Sequence, residues 1–533
     1  MNRLIRLVAG LVLGALVLPM TGCEDDLVQN PDFISPNTFY NNNAELEKGV
    51  NGVYANLGGE SGDGEGRWFN WFYDRYVFEE RVGYQVGWEK GPLTFQTGTE
   101  TPSNGYIQAF WEISYQSINR ANGAIEAAKE LEGETDDEAK RKRLMAEAQF
   151  LRGFFYYYLT AYFDSVPLTT KRTTDPSTDP KMGSKEQIVQ QVIDDASAAA
   201  SNLPNQYQEA NKGRATQWAA KTLLMKAHLM AENWQNAADV AEDIMQNSPH
   251  SLYNDFGNNW EVAHENEYSG GRIFEGQVSA SANSNEYSNH HAHFVPPDHE
   301  FGQGWHWLWT TKQFRMRYDS NDNRIPGTFL QSYESLRPQG ATEDNPVTVQ
   351  WSADADFSLG RFNGVVEEGA DPSNPDELEY GGGWSRKWVE NCGSRACWNS
   401  TEKNIPYFRY ADVLLGHSEA CLEGASCNPQ QSINELRNQR GLSDLNVSGG
   451  QLRDSLVVEW MKEFAFEQKG YIFLKRKSSH SGSKKDYLGQ WISNFVSTYD
   501  VGGRSHRERD HVIPLPQREV NANPNVSQHS LWQ

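Results

Sequence analysis

The sequence predicts a mainly α protein: helical pairs stacked into a scaffold, with a loop-rich, ligand-binding half that contains short strands. Three observations predict it. Arg143 to Leu168 places Leu144, Ala148, Leu151, Phe155, Tyr158 and Tyr162 at alternating steps of four and three, one stripe down a helix. The same period returns in segments on either side of the chain's middle. Pro249 to Ile405, between them, is rich in Gly, Asn, Ser, His and Trp and has little period. Loops this long in a compact protein usually carry function.

The chain has 533 residues, enough to bury a large core in two to four units or in one continuous helical array. It has 48 basic and 71 acidic side chains, a net charge of −23. That balance argues against nucleic acid, which is bound by clustered Lys and Arg. Aromatics make up 12% of the chain, with 17 Trp, more than a helical scaffold needs.

Met1 to Cys23 reads as an export signal, with Arg3 and Arg6 ahead of the apolar run Leu7 to Met20. The run is shorter than the about 20 residues that a spanning helix needs. Gly22-Cys23 partly fits a lipobox; cleavage before Cys23 would leave a thiol for lipid. An ordinary secretory signal with an incidental Cys is the plainer alternative. The expected division is 1–22 signal peptide, 23–36 acidic tether, 37–250 N-terminal helical region and 251–533 C-terminal region. The last divides into loop-rich 251–404, helical 405–475 and an extended tail, all packed as one body.

Each helix has its own signal. Leu46, Val50, Val53, Tyr54 and Leu57 form a stripe within Asn37–Leu57. Trp111, Tyr115, Ile118, Ala121, Asn122 and Ile125 do so within Tyr106–Leu131. Phe154, Tyr156 and Tyr157 lie off the stripe of Arg143–Leu168, so helices should pack on two of its faces. Ser184 and Gln187 predict a capping box opening a helix to Leu203. Arg214–Ala231 and Trp234–Gln246 form a hairpin around Glu232-Asn233, with Ala219, Ala227, Ala237 and Ala241 at the crossing. Small residues there let helices approach closely, as in tetratricopeptide-like pairs of about 34 residues. Arg409–Glu423 with Gln430–Arg440 is a second such hairpin, and Leu452–Gln468 the final helix.

No catalytic motif emerges. There is no G-x-S-x-G and no H-E-x-x-H. A glycosidase pairs its carboxyls in space, so their scatter in sequence says little. His290-His291-Ala292-His293, with Asp298 and His299, is the nearest approach to a metal site, but loop histidines that bond water or ligand are commoner. Asp319 to Asn323 resembles the opening of a calcium loop but fails where Arg324 and Leu330 replace Gly and Glu. No metal or cofactor is therefore expected. Cys392, Cys397, Cys421 and Cys427 allow three pairings in an exported chain; local spacing favours Cys392–Cys397 and Cys421–Cys427.

The aromatic surplus remains. Trp68, Trp71, Trp88, Trp305, Trp307 and Trp309 fall in the two least helical regions. In a strand, alternation would set Trp305, Trp307 and Trp309 on one face. Trp stacks on the apolar face of a sugar ring, while hydroxyls need polar partners on the rim. Arg67, Trp68, Asn70, Trp71, Trp88, Tyr287, Trp305, Trp307 and Trp309 are the candidate ligand contacts. About half of these Trp are expected in the core instead, because Trp is highly buried on average.

The order of motifs resembles the SusD/RagB family of outer-membrane nutrient-binding lipoproteins. Glu24-Asp25-Asp26 is similar to the acidic surface-export tag of Bacteroidota lipoproteins. Tyr115 to Asn122 is similar to the family's Y-x-x-I-x-R-A-N, and AEAQFLRGFFYYYLTAYFDSVPL to its signature helix. Ala215-Thr216 with Ala219-Ala220-Lys221, Asp322-Asn323-Arg324 and Ile405 to Ala420 follow in order, with Asp412 where Glu is usual. Glu463 to Arg476 departs at Tyr471 and Phe473, where Arg and Asp are common. The resemblance implies capture of a glycan, or sometimes a peptide, at the cell surface, without a reaction. It also implies a lipid anchor in the outer membrane and a SusC-like TonB-dependent transporter as partner. A peptide-binding relative or a surface glycoside hydrolase is the alternative.

Overall fold

The computed structural model describes residues 39–57, 80–82, 94–95, 97–173, 175, 179–278, 308–310, 312–335, 347–350, 384–390, 402–479, 485–499 and 504–533. Its first helices are α1 (Asn43–Tyr54), α2 (Gly105–Glu130) and α3 (Glu138–Phe163). Then come α4 (Lys185–Asn202), α5 (Gln217–Met230) and α6 (Trp234–Asn247). After a long insertion the chain continues with α7 (Tyr410–Glu423), α8 (Pro429–Gln439) and α9 (Gly449–Glu463). Each helix from α2 to α7 packs on the next. That includes α6 on α7, although the insertion separates them in sequence. The helical array is therefore continuous in space where the chain is not.

The local chemistry explains the boundaries. Ser184 Oγ accepts the Gln187 N–H at 3.3 Å and Gln187 Oε1 accepts the Ser184 N–H at 2.9 Å, the reciprocal cap read from the sequence. Asp137 caps α3 by accepting the Lys140 N–H at 2.8 Å. Glu232 turns the chain between α5 and α6 with φ +57°.

The centre is α3. Every residue from Phe150 to Phe163 is buried, so more than two of its faces are covered. Helix α2 brings Phe110 to 5.4 Å from Tyr162, ring to ring. Helix α4 approaches at Gly153, where an added Cβ would sit 3.2 Å from Asp195 Cβ. Two strands, β4 (Arg272–Gly276) and β8 (Ile405–Arg409), pair antiparallel, with Arg272 opposite Arg409 and Gly276 opposite Ile405; between them in sequence, β6 (Ser332–Ser335) pairs with β7 (Val347–Gln350). Strands β4 and β8 set Phe274, Tyr407 and Phe408 against Phe154 at 5.8, 5.0 and 5.8 Å. Tyr471 stacks on Tyr162 at 5.8 Å.

The motifs quoted above are braces. Arg152 forks onto Asp195 at 2.8 and 2.6 Å and also donates to Asn122 Oδ1 at 2.8 Å. Asn122 in turn holds the Thr169 and Lys171 carbonyls at 3.2 and 3.0 Å, and Tyr115 donates to the Pro167 carbonyl at 2.7 Å. These contacts fix the crossover carrying β2 (Val166–Pro167) onto β3 (Met182–Gly183).

The C-terminal part differs from expectation. Helix α9 ends at Glu463 rather than Gln468, because Phe466 and Gln468 adopt φ +61° and +60°, outside helical geometry. Helix α10 (Gly470–Ser479) runs a few residues past the expected helical limit at 475, and the tail is not wholly extended: α11 (Tyr487–Tyr499) and a short α12 (Gln517–Ala522) follow. Leu488, Trp491, Ile492 and Phe495 bury one face of α11. Cys421 and Cys427 are joined in a disulfide, S–S 1.99 Å. Cys23, Cys392 and Cys397 lie outside the described residues.

Candidate ligand face

Among the described residues, three that flank loop segments meet at one end of the β4–β8 ladder. Gly276 closes β4 against the end of α1: an added Cβ would sit 2.8 Å from the Leu57 carbonyl oxygen. Tyr407 of β8 donates its hydroxyl to that same carbonyl at 2.8 Å. Asn404 Oδ1 accepts the Val278 N–H at 2.9 Å, and the Asn404 N–H donates to Glu265 at 2.7 Å. Glu390 accepts the Glu402 N–H at 2.9 Å. So Leu57, Val278 and Glu402, each next to a stretch that sequence reasoning marked as loop, are drawn together.

A second ladder joins the two aromatic-rich regions. Strand β1 (Glu80–Val82) pairs antiparallel with β5 (Leu308–Thr310), and Arg81 stands opposite Trp309 in the register. The strand expected over Trp305–Trp309 is described over its last two residues and Thr310. Arg67, Trp68, Asn70, Trp71, Trp88, Tyr287, Trp305 and Trp307 lie outside the described residues, as do His290, His291 and His293.

Charge surrounds the mount. Glu265 is pushed up to about 7, first by burial and then by the nearby Glu275 carboxylate, against the opposing Asn404 hydrogen bond and Arg272. Lys403 is pushed down to about 8 by burial. Deeper in, a buried ion network ties the loop-rich half to the helices. Arg409 binds Glu463 at 2.9 Å and Glu467 at 2.8 Å; Arg440 reaches Glu463 at 3.0 Å. From the insertion, Lys387 reaches Glu467 at 2.6 Å, and Arg324 lies 2.7 Å from Asp322 and 3.5 Å from Glu463. Asp412 holds Lys226 of α5 at 2.7 Å and Lys469 at 2.8 Å. Asp322-Asn323-Arg324 is thus a fork pair within this network rather than part of a cation loop.

A separate cleft of about 440 Å³ opens between α3, α4, α5 and α10, lined by Val189, Ile193, Leu229, Ile472 and others. It has no aromatic lining residue, and its Lys475 and Arg476 are paired with Asp164 and Glu419. It gives a sugar ring nothing to stack on.

The fold defines a class: a helical array that carries a loop-borne face on short strand ladders. Comparison with known proteins narrows it. The SusD family profile matches residues 260–532, and the profile described as "Starch-binding associating with outer membrane" matches residues 32–229. The chain belongs to the SusD family. It is 26% identical to SusD-like protein P2 of Formosa agariphila, over 96% of this chain and 97% of that one. Its fold is similar to that of a laminarin-binding SusD-like protein, with TM-score 0.71, 20% identity, and coverage of 92% of this chain and 100% of that one. It is also similar to surface glycan-binding protein A of Bacteroides thetaiotaomicron in complex with laminarihexaose. There the TM-score is 0.69 and the identity 17%, over 91% of this chain and 99% of that one. Among the described residues, no helix is long and apolar enough to cross a membrane.

Proposed function

We propose that this protein binds a glycan at the outer face of the outer membrane, held by lipid on Cys23, and delivers it to a SusC-like TonB-dependent transporter. The observation that supports the reading is the β1–β5 ladder, in which a strand from between the aromatic run and Trp88 pairs with the strand that holds Trp309, Arg81 opposite Trp309. Membership of the SusD family supports it. So does likeness to two glycan-binding structures, one named for laminarin and one holding laminarihexaose. A neutral β-glucan is therefore the first ligand to try. The contacts are Trp68, Trp71, Trp88, Trp305, Trp307 and Trp309 with Arg67, Asn70 and Tyr287. No bond is made or broken.

The test is affinity electrophoresis of a soluble form starting at Glu24, in gels containing laminarin, other neutral glycans or anionic glycans. Retardation is expected in a neutral glycan. Trp71→Ala or Trp305→Ala should weaken it about tenfold, the loss of one large apolar contact. Absence of retardation in every gel would sink the glycan reading in favour of a peptide ligand.

One observation favours a hydrolase as the second reading: Glu265, pushed up to about 7, lies near a second carboxylate, Glu275. A carboxyl that keeps its proton toward neutral pH is what a general acid in such cleavage needs. Both, however, accept backbone N–H groups, from Asn404 at 2.7 Å and Asn266 at 2.9 Å, which fits braces of the loop mount. Release of reducing ends that disappears in Glu265→Gln would establish the hydrolase instead.

A further inference from the structure

Far along the chain, three side chains converge without a role in the ligand face. Asp486 caps α11, its Oδ1 accepting the Gly489 N–H at 2.8 Å. The same carboxylate faces two imidazoles brought back by the segment 504–511. His511 Nε2 lies 3.2 Å from Oδ1, and His506 Nε2 lies 3.7 Å from Oδ2. One ligand atom from each residue lies within 4.8 Å of the other two. A tetrahedral ion with bonds of about 2.0–2.1 Å sets neighbouring donors about 3.3 Å apart. The two Asp–His distances, 3.2 and 3.7 Å, are near that value.

Two further observations point to a ligand. His506 Nε2 is shielded from water and makes no hydrogen bond. A donor left unmatched in that position is costly unless something occupies it. Gly489 lets the two side chains converge: an added Cβ would sit 2.0 Å from Asp486 Oδ2 and 2.6 Å from His506 Cε1, so any side chain there would push them apart. The imidazole rings stand at 81° with centroids 5.4 Å apart, so they do not stack and shut the gap. Nearby Arg504 and Arg507 would repel a cation, but Asp510 binds them at 3.0 and 2.8 Å, and Glu100 lies 3.4 Å from Arg507.

We propose that Asp486, His506 and His511 form a binding site for a divalent transition metal ion. Two imidazole nitrogens and one carboxylate match zinc; calcium and magnesium prefer all-oxygen sets. The site acts as a clasp. Segment 504–511 is already hydrogen-bonded to another part of the chain, Arg504 to the Phe95 carbonyl at 3.1 Å and Arg507 to the Gly98 carbonyl at 2.6 Å. The metal adds the start of α11 to that junction. This inference does not depend on glycan binding, and its test contains no glycan.

The experiment is calorimetric titration of chelator-treated soluble protein with Zn²⁺, in a parent where His290, His291, His293 and His299 are replaced by Asn. That background removes the other histidine cluster. One equivalent of zinc should bind. His506→Asn and His511→Asn should each weaken binding about 100-fold or more, since even partners behind a ligand are worth about 10–100-fold. Zinc should raise the thermal midpoint of the parent and not of either variant. Should a variant fail to fold, Co²⁺ added to the parent still decides: tetrahedral visible absorption is expected. No binding by the parent, zinc affinity in both variants equal to the parent's, or an octahedral cobalt spectrum would each overturn the proposal.

Discussion

Glu463 shows what single residues do here. It is fully buried and bound by Arg409 and Arg440, with Arg324 3.5 Å away. Removing one member of such a group leaves the others uncompensated, which costs about 3–5 kcal/mol. Glu463→Gln should lower unfolding free energy by that amount in urea, whereas a change under about 1 kcal/mol would show the network to be slack. The pH response follows. Burial alone would raise the pKa of Glu463, but Arg440 and Arg409 outweigh it and hold the carboxyl well below its usual range. Lys226 and Lys469 do the same for Asp412. For both groups the folded value lies below the unfolded one. Their stabilisation is complete above the ordinary carboxylate range and is lost as pH falls through the folded values. Glu265 works in the opposite sense. Its pKa is raised from 4.5 to about 7, so its contribution falls as pH rises through that window. Glu265→Gln should therefore gain stability relative to the parent between pH 5 and pH 8, as measured by urea midpoints.

At the scale of elements, legibility depended on whether the signal was local. The capping box of α4, the turn at Glu232 and the stripe of α3 were readable because each lies within a few residues of itself. Leu488, Trp491, Ile492 and Phe495 make an equally good stripe, yet α11 was passed over beside a polar, proline-marked tail. The strands were harder. Arg272–Gly276 and Ile405–Arg409 are buried on both sides and so lack alternation, and each finds its partner more than a hundred residues away. The proposed ligand face shares that limit. Its aromatic content was visible as composition, but the register placing Arg81 opposite Trp309 is set by distant chain. The ladder itself can be tested at Gly276. In Gly276→Ala the new Cβ meets a backbone oxygen of Leu57 that cannot swing away, 2.8 Å off. Overpacking of this kind costs about 1–3 kcal/mol. A thermal midpoint unchanged from the parent would mean that α1 is not wedged against β4.

At the scale of the whole molecule, the chain leaves the array after α6 and re-enters it at α7, and those helices lie against each other. The carboxylates of the C-terminal part also take Lys387 and Arg324 from the insertion as partners. Continuity of the polypeptide and continuity of the core are thus separate properties. A protease that cuts once between Val278 and Glu402 should produce two fragments on a denaturing gel. On a native sizing column they should still run together at the parent's volume; separation there would show that each half keeps its own core. A nicked molecule of this design would look intact to any assay that never unfolds it.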